Sequence, residues 1–304
     1  MLRWTPSGAV SAPTSVQIRV HPLAGSSVAA GAPTPGRSLR PEELRAAILH
    51  FTAGMRTPRT RPCTTLLLSG QGLLSLPELP ELLALAAAEG IQEVVLHIGA
   101  TVEEIDPPPF LPGRPPRIAL ALPVVDPAAP EVQAIARARR RGVPVSTTTL
   151  LDRAALASLD GLVPLLSRLG GPHTLTWPLP TGPGAVASAP PLRAALDRLL
   201  PVLDRLRPLV HGLDRPRSGL SVKGLPACFL GPHADLVHRT GNRWYVDAEH
   251  QSDKALLFLP DVLRYARREA CRFCALAGAC DGFFDCYLEQ DDCPPLVAVL
   301  GATS

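Results

Sequence analysis

Short aliphatic or β-branched segments alternate with helical segments from residue 15 to about residue 206. Each apolar segment is bounded by Gly, Pro or polar residues, as buried strands commonly are. This alternation indicates an α/β fold with a parallel sheet. The predicted strands are Ser15–Val20, Thr64–Leu68, Glu93–His97, Arg117–Leu122, Val143–Thr149 and His173–Trp177. We expect a helix after each strand.

Proline at the start and glycine at the end mark several of the helical segments. The predicted helices are Pro41–Gly54, Glu78–Glu89, Pro130–Arg141, Asp152–Leu169 and Pro191–Arg207. Pro201 is expected to kink the last helix or to split it in two, because proline lacks the amide proton that a helix interior needs.

Six strand–helix units are too few for a closed eight-stranded barrel. The economical interpretation is an open, partial (β/α)6 barrel, and a doubly wound sheet is the alternative. In both architectures ligands bind beyond the carboxyl ends of the strands. The loops that follow the strands are therefore where we expect chemistry.

A stretch rich in Gly, Pro and Cys follows Arg207. Two short predicted strands at residues 237–239 and 243–246 flank Thr240-Gly241-Asn242, which predicts a hairpin with a tight turn. A helix is predicted over Pro260–Ala270. We therefore expect a flexible N-terminus at residues 1–14, the partial barrel at 15–215 and a small Cys-rich domain at 216–304.

Charge and hydropathy exclude some classes of partner. The net charge is +3, and its arginine bias is better explained by GC-rich coding than by a nucleic-acid surface. The longest apolar runs, such as Ile118 to Val125, are far shorter than the ~20 residues that span a bilayer. The first residues have no apolar run of signal-peptide length, so we expect a cytoplasmic protein without nucleic-acid or membrane partners.

The chain has seven cysteines, and in the cytosol their thiols stay reduced. Cys63 precedes an apolar run and is expected to be a packing thiol. The candidate metal ligands are Cys228, Cys271, Cys274 and Cys280, with Cys286 and Cys293 as spares. Four thiolates suit either a [4Fe–4S] cluster or a tetrahedral zinc ion. Unligated buried thiols are the third alternative.

The segment Gly224-Leu225-Pro226-Ala227-Cys228, followed by the spacing C-x2-C-x5-C-D-G from Cys271, resembles the SPASM or Twitch auxiliary-cluster domain of radical S-adenosylmethionine enzymes. Residues Thr64 to Gly72 resemble the second strand and Gly-Gly-Glu-Pro turn of that superfamily. The third and fourth predicted strands fit the same barrel. The resemblance implies a [4Fe–4S] cluster, and it implies that Ser69, Gly70, Gln71 and Gly72 occupy the position of the S-adenosylmethionine pocket.

The chain departs from that family at the radical-generating site. The family holds its catalytic cluster with C-x3-C-x2-C after the first strand, and the equivalent positions here are Leu23, Ser27 and Ala30. In the turn, Gln71 replaces the carboxylate and Gly72 the proline. These changes argue against S-adenosylmethionine binding. Phe284 stands where a further SPASM cysteine would fall, so one auxiliary cluster is expected, not two.

These observations predict a radical-SAM-like iron–sulfur protein with a degenerate initiation site. It would serve as a non-initiating partner of an active radical SAM enzyme or would present a peptide substrate. An active enzyme with unusual cluster ligation and a zinc-stapled scaffold are the alternatives. His97, Asp247, Glu249 and His250 are polar candidates near the strand ends, although a wall residue, for His97, and a solvated strand end, for the others, is the favoured explanation.

Overall fold

The computed structural model describes residues 3–5, 8–10, 14–21, 38–53, 62–99, 104–112, 114–122, 128–178, 189–211, 219–239, 243–246, 257–258 and 265–300. The strands in these residues are β1 (Arg3–Thr5), β2 (Gly8–Val10), β3 (Ser15–Arg19), β4 (Thr65–Gly70), β5 (Glu93–Ile98), β6 (Arg117–Ala121), β7 (Val145–Leu150), β8 (His173–Thr176), β9 (Leu220–Lys223), β10 (Trp244–Val246), β11 (Leu257–Phe258), β12 (Tyr265–Ala266) and β13 (Phe283–Phe284).

The α-helices are α1 (Pro41–Phe51), α2 (Leu79–Ala88), α3 (Pro130–Arg140), α4 (Arg153–Ala157), α5 (Leu162–Leu169), α6 (Leu192–His211) and α7 (Asp285–Leu288). Asp152 caps α4 by accepting a hydrogen bond from the amide of Ala155 at 2.8 Å, which stabilises a helix start. Within the described part of the chain, every helix is too short or too polar to cross a bilayer.

The main sheet has nine strands in the order β11-β10-β3-β4-β5-β6-β7-β8-β9. Strands β3 to β9 pair in parallel and follow chain order, β10 pairs in parallel with β3, and β11 is antiparallel to β10. The predicted α/β class and parallel sheet are confirmed. All six predicted strands are present, with ends that shift by one or two residues. Strands β1 and β2 form a separate antiparallel pair, which the sequence did not predict.

The strand order excludes the doubly wound alternative. A doubly wound sheet reverses its strand order at a switch point, whereas β3 to β9 advance in one direction without reversal. Because parallel crossovers are almost always right-handed, successive crossovers in one direction place their helices on one face. Leu44, Ile48 and Leu165 of these helices belong to the same buried core as Ile18 and Leu68 of the sheet.

The sheet must be curved. Val237 forms a bridge with Val222 of β9, the strand at one edge of the sheet. Trp244 lies in β10, which pairs with β3 on the far side of the sheet. In a flat sheet the eight strand spacings between these positions would span roughly 38 Å. The seven residue steps from Val237 to Trp244 can reach at most about 25 Å. The two ends of the sheet are therefore brought towards each other.

The two faces of the sheet differ in polarity. Burial alternates along the strands, and the helix-covered face carries the buried set of residues. The opposite face carries half-buried polar side chains. They include Gln17, His97, Ser146, Thr148, Thr174, Ser221 and Lys223. We call this the polar face. A parallel sheet normally has apolar residues on both faces, so a row of polar residues indicates a surface that contacts water or a ligand.

Three helix predictions are wrong in detail. Between β5 and β6 the described residues 104–112 and 114–116 contain no helix, and their six prolines cannot donate helical hydrogen bonds. The segment predicted as one helix over Asp152–Leu169 consists of α4, a 3₁₀ turn at Leu159–Gly161 and α5. Helix α6 runs through Pro201 without being split in two.

The C-terminal third differs most from the predictions. The hairpin at 237–246 is wrong, because Val237 pairs with β9 whereas Trp244 pairs with β3. The helix predicted over Pro260–Ala270 is also wrong where it is described, since β12 (Tyr265–Ala266) pairs with β13 instead. Strands β9 and β10 thus extend the sheet beyond residue 216. The predicted boundaries at residues 14 and 215 stay predictions.

The buried His173 makes the stability of the sheet depend on pH. Its Nδ1 lies 2.8 Å from Thr147 Oγ1, and burial, with a smaller repulsion from Arg139, lowers its pKa to about 3. The pKa of this histidine is lower in the folded state than in the unfolded state, where it is near 6.5. Above that pH the imidazole is neutral in both states and does not affect the free energy of unfolding. Below that pH, protonation favours unfolding.

We expect the free energy of unfolding to fall by about 4 kcal/mol between pH 6.5 and pH 3 through this one group. Urea titrations across that range, repeated on His173→Gln, would measure it, since glutamine cannot take up the proton. The variant should show a flatter pH dependence. Parallel curves for the two proteins would contradict the assignment.

Candidate metal-cluster site

One cavity joins the four cysteines that the sequence singles out. Cys228, Cys271, Cys274 and Cys280 all line a cavity of about 320 Å³, counted with its open mouth. The remaining lining residues are Pro226, Ala227, Arg267, Ala277, Gly282, Leu296 and Val297. Cys228 is 43 residues away from Cys271 in the sequence, so the fold, not local spacing, brings these thiols together.

Cys228 is positioned by a tight turn that follows β9. Gly224 has φ +80, and a Cβ atom there would lie 3.1 Å from the Cβ of Trp177, so only glycine fits without displacement. The chain then enters a 3₁₀ turn at Ala227–Phe229, which the amide of Phe229 closes by donating to the carbonyl of Pro226 at 3.0 Å. The thiol of Cys228 is thereby held beyond the carboxyl end of β9.

The other three cysteines lie on consecutive turns. Cys271 is part of the 3₁₀ turn Glu269–Phe273, and the amide of Cys274 donates to the carbonyl of Cys271 at 3.3 Å. The amide of Cys280 donates to the carbonyl of Leu276 at 3.0 Å. Gly282, with φ +92, closes the loop so near the backbone of Ala266 that a Cβ atom would clash with it. The loop geometry is therefore fixed from both ends.

Backbone amides point at two of the sulfur atoms. The amide of Gly282 donates to Cys280 Sγ at 3.3 Å. The pKa of Cys228 is raised, mainly by burial and also by the neighbouring thiols of Cys280 and Cys271, while a backbone hydrogen bond from Val297 opposes this rise. Amide hydrogen bonds to sulfur stabilise thiolates and tune cluster potentials. A bound cation would relieve the repulsion among these thiolates.

Two arginines hold the backbone of the cysteine loop. Arg267 lines the cavity and donates to the carbonyl oxygens of Ala277, at 3.0 Å, and Cys280. Arg239 donates to Asp281 Oδ1 at 2.9 Å and to the carbonyl of Gly278 at 3.2 Å. Sequence reasoning missed both arginines, because contacts between distant segments leave no local pattern.

The spare cysteines do not line this cavity. Cys286 and Cys293 are half-buried, and burial raises the pKa of each thiol. Cys63, predicted as a packing thiol, is fully buried, and its pKa is raised to about 12. The four predicted ligands therefore line the cavity, and the other three cysteines do not.

The four thiols do not converge on one point. Among the described residues, no three His, Cys, Asp or Glu side chains lie close enough together to hold a single metal ion. Tetrahedral zinc with Zn–S distances near 2.3 Å needs sulfur atoms about 3.8 Å apart.

The predicted S-adenosylmethionine segment lies at the carboxyl end of β4. A Cβ atom on Gly70 would approach the backbone nitrogen of His21 to 2.8 Å, so glycine permits the close passage of the chain after β3. Ser69 is buried, whereas Gln71 and Gly72 are exposed in the turn, where Gly72 has φ +69. Binding of S-adenosylmethionine by these residues stays a prediction.

Several sequence candidates fall outside the described residues. They are Leu23, Ser27 and Ala30 after β3, and Asp247, Glu249 and His250 after β10. His97 is described and lies on the polar face of β5, where burial lowers its pKa. Its placement beside a strand end agrees with the prediction.

No protein-family model and no curated protein matches this chain. The function must therefore be argued from the cavity and the sheet themselves.

Proposed function

We propose that this chain is a radical-SAM-like iron–sulfur protein that binds one [4Fe–4S] cluster through Cys228, Cys271, Cys274 and Cys280. The observation that carries the proposal is the meeting of these four cysteines in one cavity. They were selected by their sequence pattern, and the spares Cys286 and Cys293 are not among the lining residues. Four thiolates are the ligand set of such a cluster.

Two further features would stabilise thiolate ligands in this cavity. Backbone amides donate to sulfur at Cys280 and Cys228. Arg267 places a positive charge beside the thiolates. When bound, the cluster would supply one-electron transfer, while the chain's own residues hold it, exclude water from its inner side and stabilise negative charge on sulfur.

The sheet supports a partial-barrel assignment of the radical SAM type. Seven parallel strands in chain order, helices on one face and inward curvature describe an open α/β barrel. The sequence has no cysteine before Cys63, so the loop after β3 lacks the three thiols that the family uses for radical initiation. The protein would therefore act as a non-initiating partner or subunit of an active enzyme that modifies a peptide or natural product.

Anaerobic reconstitution of the full chain with ferrous iron and sulfide tests the cluster. We expect about four iron and four sulfide per chain and a brown protein that becomes paramagnetic on reduction. A parallel sample receives zinc. One tightly bound zinc with no iron uptake would overturn the cluster in favour of a zinc scaffold.

The non-initiating role has its own test. The reconstituted protein is incubated with S-adenosylmethionine and a strong reductant, and 5′-deoxyadenosine is measured. We expect none above a control without protein. Its formation would show that initiation survives through unusual ligation, and would leave the cluster assignment intact.

A further inference from the structure

The polar face carries basic side chains that come from opposite ends of the sheet. Lys223 ends β9, at one edge of the sheet, and Arg243 immediately precedes β10, near the other. Arg243 lies on the polar face because its Nη1 donates to Gln17 Oε1 at 3.1 Å. Lys223 lies there because its neighbour Val222 faces the helices, fully buried.

The short passage from Val237, beside β9, to Trp244 in β10 brings these two charges towards each other. Burial and then the charge of Arg243 lower the pKa of Lys223, and burial followed by the charges of Arg243 and Lys223 lowers the pKa of His97 in the middle of the sheet. Because the helices of a (β/α) barrel form its outer layer, the polar face of this curved sheet is the concave one. It forms a half-enclosed basin in the curved sheet.

The basin is short of negative charge among the described residues. Arg117 also faces it but is paired with Glu93 at 3.1 Å. Asp281 attracts Lys223, yet its carboxylate is already bonded to Arg239 at 2.9 Å. No hydrogen bond or ion pair of the Lys223 ammonium is found within the described ranges. Two half-buried cations without an anion between them cost folding energy.

Polar atoms in the same basin also lack partners. Ser69 pairs in register with His97, so its side chain lies on the polar face. The serine is 1% exposed, and its hydroxyl has no hydrogen bond in the described structure. The Nε atom of Arg243 is likewise buried and unpaired. Buried polar groups normally have partners. Trp244, which follows Arg243, pairs with Val16 near the start of β3, whereas Ser69 pairs with Arg19 at its end. The unpaired Nε of Arg243 is therefore the donor that a ligand between Lys223 and Arg243 would meet.

We propose that the concave polar face binds a small oxyanion, a carboxylate or phosphate group of a ligand, through Lys223 and Arg243. Lys223 ends β9, five residues before Cys228 in the sequence, and Arg243 precedes the amino end of β10. The site does not rest on the proposed cluster, because neither residue is a cluster ligand.

Calorimetric titration of the full chain at low ionic strength tests the site, with inorganic phosphate and succinate as probes. We expect saturable binding of at least one probe, and the two titrations distinguish a phosphate from a carboxylate ligand. Lys223→Met and Arg243→Gln should each weaken binding at least about tenfold, because charge-assisted hydrogen bonds are lost. Arg45→Gln is the matched control, since it removes one positive charge from an exposed ion pair between Arg45 of α1 and Glu81 of α2.

Thermal unfolding separates a binding role from a structural one. Without either anion, Lys223→Met should unfold at a higher temperature than the unaltered chain, because a half-buried repulsive charge is removed. The anion that binds should then stabilise the unaltered chain but not the variant. Three results would each overturn the proposal: no saturable binding of either probe, equal weakening by Arg45→Gln, or a lower unfolding temperature for Lys223→Met without anion.

Discussion

Changing any one of Cys228, Cys271, Cys274 and Cys280 to alanine is expected to lower the iron content of the reconstituted protein to less than half. Each thiol lines the same cavity, and a cluster in a four-thiolate site that loses one ligand has one iron open to water, which makes the cluster easier to lose. The informative variant is Cys228→Ala, because Cys228 belongs to the turn after β9 and not to the C-x2-C loop. Loss of iron from the Cys228→Ala variant would show that the cluster joins the sheet to the C-terminal segment.

Cys286→Ala and Cys293→Ala are the matched controls. Both residues are half-buried cysteines of the same segment, but neither lines the cavity. We expect both variants to bind iron as the unaltered protein does, measured by iron and sulfide analysis and by the visible absorption band. If Cys286→Ala or Cys293→Ala lost iron while Cys228→Ala kept it, the assigned ligands would be wrong. The proposal that the protein binds a cluster would not be contradicted.

Tyr287→Ala is expected to destabilise the protein by about 3 to 5 kcal/mol, as large-to-small changes at buried aromatic residues do. Tyr287 is 1% exposed, its ring lies 5.4 Å from Phe283, and it meets Trp177 edge-on at 6.1 Å. Its hydroxyl donates to the carbonyl of Pro178 at 3.1 Å. The residue therefore fastens α7 to the end of β8.

Tyr287→Phe separates the hydroxyl from the ring. It should cost only about 1 kcal/mol, because one hydrogen bond is lost and the ring stays packed. Chemical denaturation of both variants measures the difference. We also expect Tyr287→Ala to take up iron more slowly, because the segment that carries three cavity cysteines loses a buried aromatic contact with Trp177 and a hydrogen bond to Pro178. Equal stability of the two variants would show that the ring does not anchor α7.

The sequence predicted the elements whose pattern is local. Six strands were found within two residues because aliphatic segments bounded by Gly or Pro mark buried strands wherever they occur. Strands β9 and β10 were missed as members of the sheet because they are only four and three residues long. The position of each strand in the sheet depends on partners that are far away in the chain. The residues around Trp244 fit a strand equally well in a hairpin and beside β3, so the local sequence does not distinguish the two pairings.

The candidate site divides in the same way. The spacing of Cys271, Cys274 and Cys280 is local and predicted the ligands, but the amide of Val297 and the side chain of Arg267 reach the cavity from segments without a recognisable motif. The polar face left little signal in the sequence. Ser146 and Thr148 lie on that face of β7, but the buried Thr147 and Thr149 between and after them are polar as well, so no polar–apolar alternation marks the face.

The passage of the chain from Val237 to Trp244 governs the order in which this protein can assemble. Strand β10 docks on β3, and Arg243 reaches Gln17, across a separation of 226 residues. Contacts of such long range form late, because nearly the whole chain must already be ordered. Three of the four cavity cysteines follow this passage in the sequence. All strands of the sheet are therefore synthesised before the four thiols can meet. The cavity forms after synthesis, once the sheet has closed.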